Sequence, residues 1–219
     1  YDSENNILYA NKVKFNGNQS NRIIKIENID SNNLDNDNLN FTTINLATNT
    51  SVYFSSIKLS PFDNTLFIGN QSGRFYKIEN IDNNPTTYEI GSSDFPTANI
   101  SSIDIGQDNE EIIVTFSNYG VSSIWYTQNG GSTWFPKEGN LPDIPVRSIL
   151  IHNDDSNYSI VATELGIWET RNLLSDNVYW APSNNGIGNV RVDMLSIRDA
   201  DNLLVAATHG RGLYHTNYN

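Results

Sequence analysis

Ile100-Ser101-Ser102-Ile103-Asp104-Ile105 carries a pattern, apolar-x-x-apolar-x-apolar, that the chain repeats. It recurs as Val146-Arg147-Ser148-Ile149-Leu150-Ile151 and as Val192-Asp193-Met194-Leu195-Ser196-Ile197. One step of the same length before it stands Phe54-Ser55-Ser56-Ile57-Lys58-Leu59. The central residues Ile57, Ile103, Ile149 and Leu195 are each 46 positions apart. A fixed period of this length, filled with short apolar runs and Asn/Asp/Gly punctuation, marks a repeat array. One unit cannot bury its apolar face alone, so neighbouring units must stack.

Working outward from this first strand (A), each unit keeps one order. An Asp/Asn pair follows, at Asp63-Asn64, Asp108-Asn109, Asp154-Asp155 and Asp201-Asn202. Such residues close turns by bonding nearby backbone. A continuous apolar run comes next (B), as in Ile112-Ile113-Val114 and Ile160-Val161-Ala162, which suits a strand buried on both faces. Gly73, Gly120, Gly166 and Gly212 then open a third strand (C) that carries an aromatic. A fourth (D) centres on Tyr88, Trp134 and Trp180. Four short strands per unit predict an all-β fold, a β-propeller of four-stranded antiparallel blades of about 46 residues.

The first unit is out of step. Lys25-Ile26-Glu27-Asn28-Ile29-Asp30 reappears as Lys77-Ile78-Glu79-Asn80-Ile81-Asp82 at an offset of 52, because a longer loop precedes its D strand. The expected division is one propeller region, 1–219, with a partial blade at 1–46, blades at 47–91, 92–137 and 138–183, and a partial blade at 184–219. The ends supply strands B, C, D and A, B, C, which overlap rather than complement. The expectation is therefore the C-terminal part of a longer propeller of about 6–8 blades, with a five-bladed ring as the alternative.

Bulk properties narrow the function. Lys and Arg number 13 against 25 Asp and Glu, a formal charge of −12. That balance argues against nucleic acid, whose phosphates need clustered cations. No apolar run is long enough to cross a membrane as a helix. With no cysteine, disulfides and thiolate metal sites are excluded. His152, His209 and His215 lack metal-ligand spacing. The run 30–38, opened by Asp30 and closed by Asn38, has neither the central glycine nor the bidentate Glu of a calcium loop. A solvated loop and no cofactor are expected there, with weak calcium binding as the alternative.

Thr127-Gln128-Asn129-Gly130-Gly131-Ser132-Thr133-Trp134 resembles an Asp-box, the BNR-type hairpin of sialidase, sortilin and xyloglucanase propellers, with Asn129 in place of the Asp. The resemblance implies a structural role for Thr127, Asn129, Gly131, Thr133 and Trp134. The side chain at Asn129 would cap turn amides, and Trp134 would pack between blades. Thr170 and Trp180 are remnants of the same hairpin. The ending Ala207-Thr208-His209-Gly210-Arg211-Gly212-Leu213-Tyr214 is similar to the last blade of exported Bacteroidetes propellers, which implies a secreted or cell-surface protein.

The B–C and D–A loops share one rim of such a fold. The ligand candidates there are Arg74, Tyr119, Glu164, Asp193, His209 and Arg211. His209 and Arg211 form the sharpest polar pair, able to bind an anionic or sugar ligand or to pair with a neighbouring carboxylate. A glycoside hydrolase of xyloglucanase or sialidase type would need two carboxylates across a cleft. Asp94, Asp143, Glu164 and Asp193 offer themselves, with no spacing that selects a pair. The reading is an interaction module for carbohydrate or protein at the loop rim. The hydrolase, with part of its machinery N-terminal to this region, is the alternative, and a scaffold in a secreted assembly the second.

Overall fold

The structure is a computed structural model that describes residues 1–11, 22–29, 39–46, 52–198 and 200–218. It is all-β, built of five antiparallel sheets in chain order. The first has three strands, β1 (Leu8–Asn11), β2 (Arg22–Glu27) and β3 (Asn40–Asn45). Three four-stranded sheets follow. The second sheet holds β4 (Phe54–Leu59), β5 (Leu66–Asn70), β6 (Phe75–Glu79) and β7 (Thr86–Glu89). The third holds β8 (Ile100–Ile105), β9 (Ile112–Phe116), β10 (Ile124–Thr127) and β11 (Phe135–Pro136). The fourth holds β12 (Val146–His152), β13 (Asp155–Thr163), β14 (Gly166–Thr170) and β15 (Ala181–Pro182). The fifth has β16 (Val192–Arg198), β17 (Leu203–Thr208) and β18 (Gly212–Asn217). Each sheet is a meander of neighbouring strands. The apolar triplets of the sequence thus lie on β4, β8, β12 and β16. The loop 30–38 lies outside the described residues.

Cores form between sheets rather than within them. Four apolar clusters each join two consecutive sheets. Ile23 and Tyr9 meet Leu66, Ile68 and Ile78 in the first. Ile113, Ile124 and Tyr126 meet Val146, Ile149 and Val161 in the third. The B strands β5 and β9 are buried along their whole length, as their unbroken apolar runs require. Among the described residues, no such cluster joins the fifth sheet to the first. The outward side of the fifth sheet shows Met194 and Leu213, the latter 73% exposed.

Polar bonds between successive A strands repeat with the chain. The ladder is bulged at the second residue of each A strand, at Ser55, Ser101, Arg147 and Asp193. A bulge re-aims the side chain of the extra residue. Ser55 and Ser101 use it to donate to Ile100 O (2.7 Å) and Val146 O (2.6 Å) of the next A strand. Further along, the buried Asp104 accepts from Lys58 Nζ at 2.6 Å and from Ile151 N at 2.8 Å, joining three sheets.

The C–D hairpin at 127–134 is closed by its side chains. Asn129 Oδ1 accepts from Thr133 N at 2.9 Å, and Thr127 Oγ1 accepts from Gly131 N at 3.2 Å. Gly131 stands at φ 89°, where a side chain is strained. The fourth sheet repeats the device with Thr170 and Asn172. Asn172 Oδ1 accepts from Tyr179 N at 3.0 Å and from Thr170 Oγ1 at 2.9 Å.

One register differs from the sequence expectation. Ladder bonds Ile90 N to Phe75 O, Lys137 N to Ile124 O and Ser183 N to Ile167 O align the D strands. In that alignment Thr87, not Tyr88, is the counterpart of Trp134 and Trp180, and Tyr88 is exposed like Phe135. The longer B–C loop of the third sheet, 117–123, shifts strand C while A keeps its 46-residue step. The C–D connection of the third sheet is shorter than that of the second and takes back part of this shift, so constant spacing misplaces D by one residue.

Candidate functional site

The strand order places B–C turns and D–A connections at one end of every sheet. At that end the fourth and fifth sheets bring four charged side chains and a histidine together. Arg147 and Asp193 are the bulged second residues of β12 and β16. Glu164 lies in the β13–β14 turn, His209 in the β17–β18 turn, and Arg191 just before β16.

Their contacts form a chain. Arg147 Nε donates to Glu164 Oε1 at 2.8 Å, and its Nη2 contacts the same oxygen. Arg191 Nε donates to Asp193 Oδ1 at 2.6 Å. His209 Nδ1 stands 3.2 Å from Asp193 Oδ2. Cross-contacts tie the pairs: Arg147 Nε to Asp193 Oδ1 at 3.8 Å, and Arg191 Nε to Glu164 Oε1 at 3.9 Å. Because Arg191 reaches both acids, their facing oxygens are at most about 6.5 Å apart, short of the ~9 Å upper limit for paired glycosidase carboxylates.

Electrostatics separate Asp193 from the role of a general acid. Burial pushes the Asp193 carboxyl up, but hydrogen bonds from Arg191 and His209 outweigh it and hold the group below its ordinary range. Glu164 carries the Arg147 guanidinium directly. Glycoside hydrolysis needs one carboxyl kept protonated by an apolar surrounding, and Asp193 has the opposite environment. The cluster offers an ionised carboxylate, guanidinium donors and an imidazole 69% exposed at its outer edge. These are groups that receive and donate hydrogen bonds to a polyol or a charged peptide.

The remaining sequence candidates are dispersed. Arg74 is engaged bidentately by Glu89 of its own sheet, both bonds 2.7 Å. Tyr119 is 64% exposed in the third sheet's B–C loop, beside Gly120, whose N–H donates to Asp143 Oδ1 at 2.6 Å. Asp94 sits in a local turn, its N–H bonded to Ser92 Oγ at 3.0 Å. Arg211 is exposed and, among the described residues, forms no ion pair, so His209 rather than Arg211 meets the carboxylate.

Sequence reasoning named Glu164, Asp193 and His209 but missed Arg147 and Arg191. The signal was present: Arg147 and Asp193 occupy one repeat position in consecutive units, with opposite charge, where earlier units have serine. It also missed Glu138, in the third sheet's D–A connection. Burial pushes its carboxyl up, while bonds from Ser123 and Ser122 pull it down and Asp143 adds repulsion.

No family model matches the chain, and no curated protein does. Among solved structures it is similar to the GH74 xyloglucanase from Xanthomonas campestris, with TM-score 0.62 at 11% identity. The match covers 97% of this chain and 35% of that one, so the chain spans about a third of the enzyme's length. At this identity the likeness establishes the fold, that of a propeller region, and leaves the chemistry to the site.

Proposed function

We propose that the chain is an interaction module of an exported or cell-surface protein, binding carbohydrate at the rim formed by its fourth and fifth sheets. The observation that carries this reading is the convergence of Glu164, Asp193 and His209 with Arg147 and Arg191 at one solvent-open end. Paired carboxylates and guanidiniums recognise hydroxyl groups well. A charged protein surface is the other occupant this chemistry admits. The Asp-box-like hairpin of Thr127, Asn129 and Thr133 acts as scaffold in this reading, since its polar atoms are used internally.

We further propose that the five sheets belong to a longer propeller. Support comes from the extent of the xyloglucanase match and from the exposed outer side of the fifth sheet. A hydrolase reading has one observation in its favour, the raised carboxyl of Glu138 near Asp143.

Glycan-array binding and a polysaccharide hydrolysis screen, run on the wild-type chain and on Glu164→Gln and Asp193→Asn, test the proposal. The expected result is glycan binding without hydrolysis, weakened by both substitutions. Hydrolysis abolished by either would assign the chain to the enzymes. No glycan binding at all would move the rim to a protein ligand.

A further inference from the structure

Two inter-sheet tryptophans occupy equivalent seats, and the interface before them lacks its tryptophan. Trp134 of the third sheet packs on Phe75 of the second, and its Nε1 donates to Ile90 O at 2.8 Å. Trp180, fully buried, reaches from the fourth sheet into the core of the third, and its Nε1 donates to Lys137 O at 2.9 Å. Between the second sheet and the first, the counterpart is Thr87. It lies opposite Ile78, which belongs to the core shared with the first sheet, so Thr87 faces that sheet with a much smaller side chain. The pairs Lys25–Thr42 and Lys77–Tyr88 align the two ladders and make Ile44 the counterpart of Ile90.

A cavity of about 440 Å³ opens at this interface, a volume in the range of small-molecule sites. Lys25, Thr42 and Ile44 line it from the first sheet, and Ile81, Asp82 and Pro85 from the β6–β7 turn of the second. It lies between two sheets of the chain rather than on an outer face. Its polar groups already hold one another in place. Lys25 Nζ contacts Asp82 Oδ1 at 2.6 Å and Glu27 Oε1 at 2.8 Å, and Tyr9 OH donates to Asp82 Oδ1 at 3.0 Å. Burial pulls the Lys25 ammonium down, but its bonds to Asp82 and Glu27 outweigh that and keep it charged. One ammonium against two carboxylates leaves an excess negative charge, which repels an anion. The ammonium seated between the carboxylates also keeps out a bare cation. What the wall offers is hydrogen bonding: carboxylate lone pairs and the Thr42 hydroxyl, beside the apolar surfaces of Ile44, Ile81 and Pro85.

We propose that this cavity binds a neutral saccharide unit of one or two rings. A sugar ring presents hydroxyl groups at its edge and C–H groups on its faces, and the wall supplies a partner for each. Asp82 and Glu27 accept from ring hydroxyls, Lys25 and Thr42 donate to ring oxygens, and Ile44, Ile81 and Pro85 take the C–H face. The site reaches the C–D turn of the second sheet, at the opposite end from the charged rim of the fourth and fifth. It is separate from that rim and does not depend on its ligand.

The test titrates the ¹⁵N-labelled 219-residue chain with glucose, cellobiose and glucuronate and follows amide shifts by NMR. Saturable shifts are expected at Lys25, Thr42, Ile81 and Asp82 with glucose or cellobiose, and weaker binding with the anionic glucuronate. Thr87→Trp, which supplies the missing indole, should abolish these shifts. Asp82→Asn, which keeps the shape but removes the charge, should weaken binding about tenfold or more. Tyr88→Ala, on the other face of the strand, should leave it unchanged. Amide shifts at Glu164, Asp193 and His209 report the rim separately, so the two sites succeed or fail independently. No saturable shift around the cavity with either neutral sugar at high millimolar concentration would overturn the proposal. So would wild-type binding by both Thr87→Trp and Asp82→Asn, or tighter binding of glucuronate than of glucose.

Discussion

Replacing Trp180 with alanine tests whether the tryptophan seats hold neighbouring sheets together. Trp180 is fully buried and reaches from the D strand of the fourth sheet into the core shared with the third. A buried tryptophan removes about 150–250 Å² from water, which at ~25 cal/mol per Å² corresponds to about 4–6 kcal/mol. Alanine keeps a small part of that area, and partial collapse recovers a little more, so the expected loss is about 3–5 kcal/mol. Trp180→Phe separates the two contributions. It keeps most of the apolar contact but leaves Lys137 O without its donor, an expected loss of about 1–3 kcal/mol. The neighbour Tyr179 is exposed, and Tyr179→Ala should change stability by no more than about 0.5 kcal/mol. Urea unfolding of the four proteins, followed by circular dichroism, reads these differences as midpoint shifts at constant slope. A Trp180→Ala loss no larger than that of Tyr179→Ala would refute the inter-sheet role.

Three further outcomes follow from named contacts. Glu138 has its folded pKa raised above 4.5 by burial, so its ionisation favours unfolding as pH rises through that value. Glu138→Gln should therefore stabilise the protein at pH 7 and not at pH 4, measured by thermal unfolding at both. Asn172→Ala removes the acceptor of Tyr179 N and should cost about 1–2 kcal/mol in urea unfolding, against near-neutrality for the exposed Asn177. Gly166 stands at φ 88° with a Cβ position that collides with Asn184 Oδ1, the acceptor of Ile167 N. Gly166→Ala should destabilise by more than about 1 kcal/mol in the same assay.

How much was legible in the sequence follows the physics of each feature. Strand A could be read to the residue, because each copy must bury its triplet against the next sheet and tolerates no slip. The D strand could not, since its position depends on the lengths of both the B–C and the C–D connections, which the core does not constrain. Tyr88 was misaligned with Trp134 for that reason. Asn172 escaped notice because its hairpin is three residues longer than that of Asn129, although both cap the turn in the same way. The rim cluster was half legible. Glu164, Asp193 and His209 stand out as loop residues, but their meeting depends on the bulge at Arg147 and Asp193, and a bulge leaves no mark in composition. The Arg147/Asp193 alternation at one repeat position was the available clue.

The central claim is that the ligand binds the charged end of the fourth and fifth sheets. Its most direct test is calorimetric titration of a glycan identified on the array against wild type, Asp193→Asn and Arg74→Ala. Arg74 pairs with Glu89 in the second sheet and serves as a charge control on the same rim. The account predicts a loss of about tenfold or more for Asp193→Asn and none for Arg74→Ala. Unchanged affinity in Asp193→Asn, or a loss confined to Arg74→Ala, would contradict it.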